Sequence, residues 1–169
     1  MDGVDSLTRM KPSYSAKQGF PPGTLVHVGS VYTDSIGIRR TDFDATGAES
    51  REIERLEDLF PFQPLRQIAW IEIGGIHDVK VIEQLGNQFS IHPLVLEDIL
   101  NTTQRPKFEE YDDYLFLVMR VPFAKKDAGG MEGLSRRKLN TNTNHWSEME
   151  FEQVSLLFGK DWVLSFVES

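Results

Sequence analysis

Six consecutive apolar or aromatic residues, Tyr114 to Met119, constrain this chain more than any other stretch in it. A run of that kind has no wet face to offer, so it reads as a strand covered on both sides, in a sheet that has at least one packed layer. The residues before it supply such a layer. Pro93 sits where a first-turn proline loses no needed hydrogen bond, with Ser90 or His92 available near the cap. Pro106 then pushes Arg105 into an extended conformation, so a helix starting at Pro93 has to end shortly after Leu100. At 100° per residue Val95, Leu96, Ile99 and Leu100 share one arc, the face expected to lie on the sheet. Glu97 and Asp98 fall on the opposite side and diverge around the axis, forming an acidic edge.

The rest of the chain fits the same plan. Residues 1–22 are polar, with Pro12, Gly19 and the Pro21-Pro22 pair but no periodicity, and read as a mobile lead-in to a domain spanning 23–169. Thr24 to Val31 alternates and Ile36-Gly37-Ile38 follows a turn-rich stretch, which predicts an opening hairpin. Glu49 to Phe60 places Ile53, Leu56, Leu59 and Phe60 at helical spacing, predicting a short helix that stops before Pro61. Ile68 to Ile73 alternates as a strand and is closed by Gly74-Gly75. Asp78 then caps a helix with Val79, Ile82 and Leu85 as its apolar stripe. Glu152 to Phe158 and Asp161 to Val167 predict two strands joined at Gly159-Lys160 by a type II′ turn, with Trp162, Leu164 and Phe166 sharing a core face. Strands separated by helices require crossovers. The predicted fold class is therefore α/β, a layered α/β/α domain around a mixed parallel and antiparallel sheet. Only Ala124 to Ser147 interrupts the pattern: glycine-rich, repetitive in Asn and Thr, and basic, it reads as a flexible, solvated loop over 124–147.

Several chemistries are excluded. With no cysteine in the chain, disulfides and thiolate metal sites are ruled out. A formal net charge of -8 argues against a nucleic-acid partner, which would need a basic face. His27, His77, His92 and His145 lack zinc-hydrolase spacing; His92 and His77 suit cap and turn positions. Asp112 and Asp113, read as neighbours on a strand, would point to opposite faces and so fail as a catalytic pair. With no nucleophile elbow, P-loop or dinucleotide-binding glycine pattern, no enzyme is predicted. Asp42-Phe43-Asp44-Ala45-Thr46-Gly47 matches the first half of a calcium loop, but Ile53 stands where its bidentate glutamate is required, so a plain Asx/Gly turn is expected. No apolar run approaches the roughly 20 residues that span a bilayer.

The acidic edge is the remaining chemical feature. Between Glu97 and Asp113 six carboxylates face Arg105 and Lys107, so half of the chain's net charge of -8 is concentrated there. From spacing alone, a solvated helix face with acids placed for solubility is the simpler account. The motifs argue otherwise. His92-Pro93-Leu94-Val95-Leu96-Glu97-Asp98, then Gln104-Arg105-Pro106-Lys107, then Tyr114 with its apolar strand closely resemble the N-terminal cytosolic domain of CorA-type magnesium and cobalt transporters. The resemblance extends more weakly over 68–86 and 152–168.

That resemblance implies a cation-sensing regulatory domain on the cytosolic face of the inner membrane, part of a homopentamer. It makes Asp98 and Glu97 half of a weak regulatory site for Mg²⁺, or for Co²⁺, between neighbouring subunits. The opposing carboxylate would come from a stalk helix. The family's transmembrane helices and Gly-Met-Asn motif lie outside this sequence, whose nearest string is Gly130-Met131-Glu132, so a fragment that lacks its stalk and pore is expected. A zinc-transporting relative, or a soluble acidic domain sharing only the fold, are the alternatives. Mg²⁺ suits such an edge because it keeps much of its hydration shell and is often held by one or two carboxylates.

Overall fold

The structure is a computed structural model that describes residues 19, 21–29, 31, 33, 35–124 and 149–168. The expected lead-in over 1–22 and basic loop over 124–147 fall almost wholly outside the described residues. Seven strands form one sheet: β1 (Gly37–Asp44), β2 (Gly47–Glu52), β3 (Ile68–Gly74), β4 (Lys107–Glu110), β5 (Leu115–Ala124), β6 (Met149–Phe158) and β7 (Trp162–Val167). Their order is β2-β1-β3-β7-β6-β5-β4. Only β3 and β7 pair in parallel, with Ile71 opposite Leu164; every other neighbour is antiparallel. The mixed α/β sheet is thus as expected. Between β3 and β4 the chain leaves the sheet as two helices, α1 (Val79–Gln88) and α2 (Pro93–Leu100).

Both helices form as their residues dictate. The Asp78 side chain accepts a bond from the Lys80 N–H at 3.0 Å, capping α1. For α2 the cap is His92, whose Nδ1 accepts from the Leu94 N–H at 3.2 Å, with Pro93 in the first turn. Ser90 serves the joint between the helices instead. It takes a left-handed φ of 54° so that the Ile91 N–H can return to the Gly86 carbonyl at 2.8 Å, ending α1 in a Schellman turn. Glycine usually fills that position, which is why the turn was not legible in the sequence. Gly86 has its own reason: a Cβ there would lie 2.3 Å from Leu96 Cδ1, so its absence lets α1 and α2 approach.

The core lies between these helices and one face of the sheet. Ile82, Leu85, Val95, Leu96, Ile99 and Leu100 meet Ile71, Ile73, Phe116, Val118, Leu164 and Phe166, all of them buried. Trp162, Leu164 and Phe166 share this inner face as predicted, with the Trp162 ring 5.0 Å from that of Phe89. The apolar run at Tyr114–Met119 is covered only on this side by described residues: Phe116 and Val118 are buried, whereas Leu115 is 37% exposed. Trp70, Phe108 (62% exposed) and Phe158 lie open on the same outer face, which no described helix covers. The second helical layer of an α/β/α arrangement is not among the described residues.

Four local expectations are corrected. Thr24 to Val31 is not a strand; it makes one parallel bridge, Val28 to Asn101, because Thr102 offers its N–H to the Val28 carbonyl at 3.0 Å. The first hairpin is β1–β2 instead, and it consumes the start of the helix predicted over Glu49 to Phe60; only a 3-10 turn, Leu56–Leu59, remains to bury Leu56 and Leu59. Asp112 and Asp113 occupy the tight turn between β4 and β5, closed by the Tyr111 N–H on the Tyr114 carbonyl at 2.9 Å, rather than a strand. In the last hairpin Gly159 pairs with Trp162 through an N–H···O bond of 2.9 Å, so the turn falls at Lys160-Asp161. Gly159 is not left-handed; a Cβ there would lie 2.2 Å from the Trp162 indole, and that close approach selects glycine.

A buried polar seam joins the sheet to the end of α2. Gln153 (1% exposed) donates from Nε2 to the Asp98 carbonyl at 3.1 Å and accepts from the Gln104 N–H at 3.1 Å. Its own N–H donates to Glu168 Oε1 at 3.2 Å. Burial pushes the Glu168 carboxyl above the usual carboxylate range, against the bonds from Gln153 and Thr102. A raised folded-state pKa means that the protonated acid is the better-fitting form. The stabilisation is complete below the unfolded pKa, about 4.5, and is lost as pH rises through the folded value. Glu168→Gln is therefore expected to raise the urea midpoint at pH 7 and to lose that advantage at pH 4. A lower midpoint at pH 7 would contradict this sign.

Candidate metal centre

The acidic edge begins at the C-terminal turn of α2. As predicted, Glu97 and Asp98 point in different directions, and each is held by other parts of the chain. Glu97 Oε2 accepts from the Gly23 N–H at 2.8 Å, tying the incoming chain to the helix. Asp98 is engaged through both oxygens: Oδ1 accepts from Gln104 Nε2, and Oδ2 lies 2.6 Å from Lys107 Nζ. The residues forming the Gln104-Arg105-Pro106-Lys107 block thus turn back onto the helix that precedes them. α2 has already ended at Leu100 with Asn101 as its cap, and the short connector carries Lys107 onto the first position of β4, where its stem reaches Asp98.

Lys107 is shared. Its ammonium also lies 2.8 Å from Glu109 Oε1, and it sits over the Phe116 ring, 5.2 Å from the centroid. Lys107 and Glu109 are two residues apart on β4 and so project to the same face, which is the reason one ammonium meets both acids. Glu109 Oε2 in turn accepts from the Tyr111 hydroxyl at 3.0 Å. The Tyr111 ring stacks on Tyr114 at 4.8 Å, and the Tyr114 hydroxyl accepts from the His92 N–H at 3.0 Å, closing the cluster onto the start of α2.

The electrostatics follow from these bonds. Partial burial by itself would lower the Lys107 pKa, but the bonds to Asp98 and Glu109 outweigh it and hold the ammonium above its ordinary value. The Lys107 bond, opposed by desolvation and aided by Tyr111, keeps the Glu109 carboxyl below the usual range. Burial first, then the bond to Glu109, pushes the Tyr111 phenol up to about 12.

Mg²⁺ is commonly held by one or two carboxylates, with water filling its other positions. Each carboxylate oxygen has lone pairs beyond those its protein donors use, so Gln104 and Lys107 do not exhaust Asp98 as an acceptor. Among the described residues no group of three or more His, Cys, Asp or Glu is placed to hold a metal. A tight all-protein cage is therefore not built by these residues. Sequence reasoning missed Lys107 and Glu109 as partners of Asp98. The spacing 98, 107, 109 has no periodic signature, because a turn and a change from helix to strand lie between. The calcium-loop-like Asp42 is buried against Arg40, and Asp44 makes the expected Asx turn, its carboxyl held down to about 2 by the Thr46 hydroxyl and N–H.

A mixed seven-stranded sheet carrying two consecutive helices, with its acids at the end of the second, defines an α/β domain with a known counterpart. The structure of the full-length CmaX protein superposes on 80% of this chain and 36% of that one with a TM-score of 0.51; at 11% identity the likeness is one of fold. Sequence goes further. Residues 65–140 match the family described as CorA-like Mg²⁺ transporter protein. The cobalt/magnesium transport protein CorA of Thermotoga maritima is 38% identical over 154 residues, 91% of this chain. YfjQ of Bacillus subtilis is 30% identical over 114 residues, 68% of this chain. This chain is a CorA-type domain. It spans 38% of the length of the first relative and 27% of the second. No helix among the described residues is long and apolar enough to cross a membrane.

Proposed function

We propose that this domain is the cation-sensing regulatory part of a CorA-type magnesium and cobalt transporter, with Asp98 as the principal ligand and Glu97 beside it. The observation that carries the reading is the placing of Asp98: it lies inside the segment matched by the family, at a helix end, with its carboxylate oriented by Gln104 and Lys107. The chain's relative in Thermotoga maritima bears the name of a cobalt/magnesium transport protein, which makes these two ions the ones to try. Mg²⁺ at Asp98 is only half-satisfied by this chain, so a second carboxylate comes from a neighbouring copy in a homopentamer. The ion screens acids that would otherwise repel across that interface, so its loss loosens the assembly. The parent protein is anchored in the membrane with this domain on the cytosolic side. In that parent protein the stalk and transmembrane parts cover the apolar outer face of the sheet.

The test is thermal stability against MgCl₂ or CoCl₂ at constant ionic strength, for the wild type and for Glu97→Ala/Asp98→Ala. A site with Kd near 1 mM adds about 1.8 kcal/mol at about 20 mM ion by mass action, and the double variant is expected to gain nothing. Identical responses of the two proteins, repeated in the full-length parent, would remove these carboxylates from the reading.

A further inference from the structure

The candidate site contains a cation of its own, whose role rests on the cation-site reading and deepens it. The Lys107 ammonium is not a solvated surface charge. Its side chain is 26% exposed and stands 2.6 Å from Asp98 and 2.8 Å from Glu109, above the face of Phe116. Glu109 is itself fixed by Tyr111, so the lysine is held by two positioned carboxylates drawn from α2 and β4. We infer that Lys107 is a tethered monovalent cation that competes with the divalent ion for Asp98 and so keeps the affinity of that site low.

The physical basis is one of charge and geometry. A dication that takes a lone pair of Asp98 arrives beside an ammonium already bonded to the same carboxylate, and the two repel. Either the ion binds against that repulsion, or Lys107 leaves Asp98. The second course is open because Glu109 still offers the ammonium a partner on its own strand. The ammonium then keeps Glu109 as its remaining carboxylate partner, and the bond between α2 and β4 is exchanged for an ion. Ion occupancy is thereby read out as the loss of one brace between helix and sheet. A lysine suits this role better than an arginine, since its compact ammonium on a flexible stem has no fork locked onto one carboxylate.

The experiment titrates Mg²⁺ and Co²⁺ into the full chain and into Lys107→Met, Lys107→Gln and Asp98→Asn, with folding checked by circular dichroism. Lys107→Met and Lys107→Gln are expected to bind about tenfold more tightly than the wild type, equivalent to ~1.4 kcal/mol, and Asp98→Asn to lose the response. A second readout needs no variant: acetylation of Lys107 in the wild type by acetic anhydride, followed by mass spectrometry, should quicken as Mg²⁺ frees the amine from Asp98. Folded lysine variants that bind no more tightly than the wild type, or an acetylation rate indifferent to Mg²⁺, overturn the competition and leave the cation site standing. Absence of binding by the wild type and by every variant overturns the site and the competition together. Binding by the lysine variants where the wild type shows none supports both.

Discussion

Arg40→Ala is expected to lower the stability of this domain by about 3–5 kcal/mol, the cost of leaving a buried charge without its partner. Arg40 and Asp42 project from β1 to the inner face, with side chains only 4% exposed, and form a two-bond pair: Nε to Oδ2 at 2.7 Å and Nη2 to Oδ1 at 2.8 Å. The pair also fastens the connector that follows the 3-10 turn. Arg40 Nη2 donates to the Gln63 carbonyl at 2.5 Å, and Asp42 Oδ1 accepts from the Leu65 N–H at 2.8 Å. Removing the arginine strands the Asp42 carboxylate and frees the Gln63 carbonyl at once. Burial would push the Asp42 carboxyl up, but the bonds from Arg40 and Leu65 hold it below its ordinary value. In the wild type this contribution is present above the unfolded pKa of about 3.8 and fades as pH falls through the folded one. In Arg40→Ala the sign reverses, because protonating the stranded acid relieves it. The stability gap between the two proteins, measured by urea unfolding, should therefore narrow from pH 7 to pH 4. A loss below about 1 kcal/mol, or a gap that widens in acid, would show that the pair is not buried as described.

Phe116→Ala is expected to cost a similar amount, about 3–5 kcal/mol, for a different reason. Phe116 is fully buried at the middle of the inner face, in contact with the helical layer, and truncation leaves a cavity that a sheet position cannot close by collapse. It is also the floor beneath the Lys107 ammonium. The substitution thus links core and site: Lys107 loses its aromatic face as well as its packing, and its grip on Asp98 loosens. Phe116→Leu, which keeps most of the volume, should be far milder in urea unfolding. Equal losses for the two substitutions would assign the effect to the ring itself.

The structure also explains why the acid-rich stretch from Glu97 to Asp113 is tolerated in a folded domain. Its charges do not face one another. Glu97 is turned to the incoming chain, Asp98 and Glu109 share Lys107, and Asp112 and Asp113 sit exposed in a turn where water screens them. Asp98 and Glu109 are brought to one place, and there Lys107 is bonded to both.

Local order was legible in the sequence wherever one residue type answers to one local need. Asp78 and Pro93 marked the helix starts, Pro106 the exit from the second helix, and the alternation of Ile68 to Ile73 a strand with Ala69, Ile71 and Ile73 inward. The motif around Glu97 and Asp98 also pointed to the right family. What tertiary structure alone decided is which of these pieces meet. Thr24 to Val31 alternates well enough for a strand, yet it is claimed by the end of α2, because pairing depends on which edge lies within reach. Glu49 to Glu52, the start of the helix predicted over Glu49 to Phe60, instead complete the β1–β2 hairpin, because pairing with β1 claims them. Asp98, Lys107 and Glu109 come together only because the chain reverses between helix and strand, and no periodicity survives such a reversal. Short-range chemistry is written along the chain; the meeting of charges from different elements is a property of the fold.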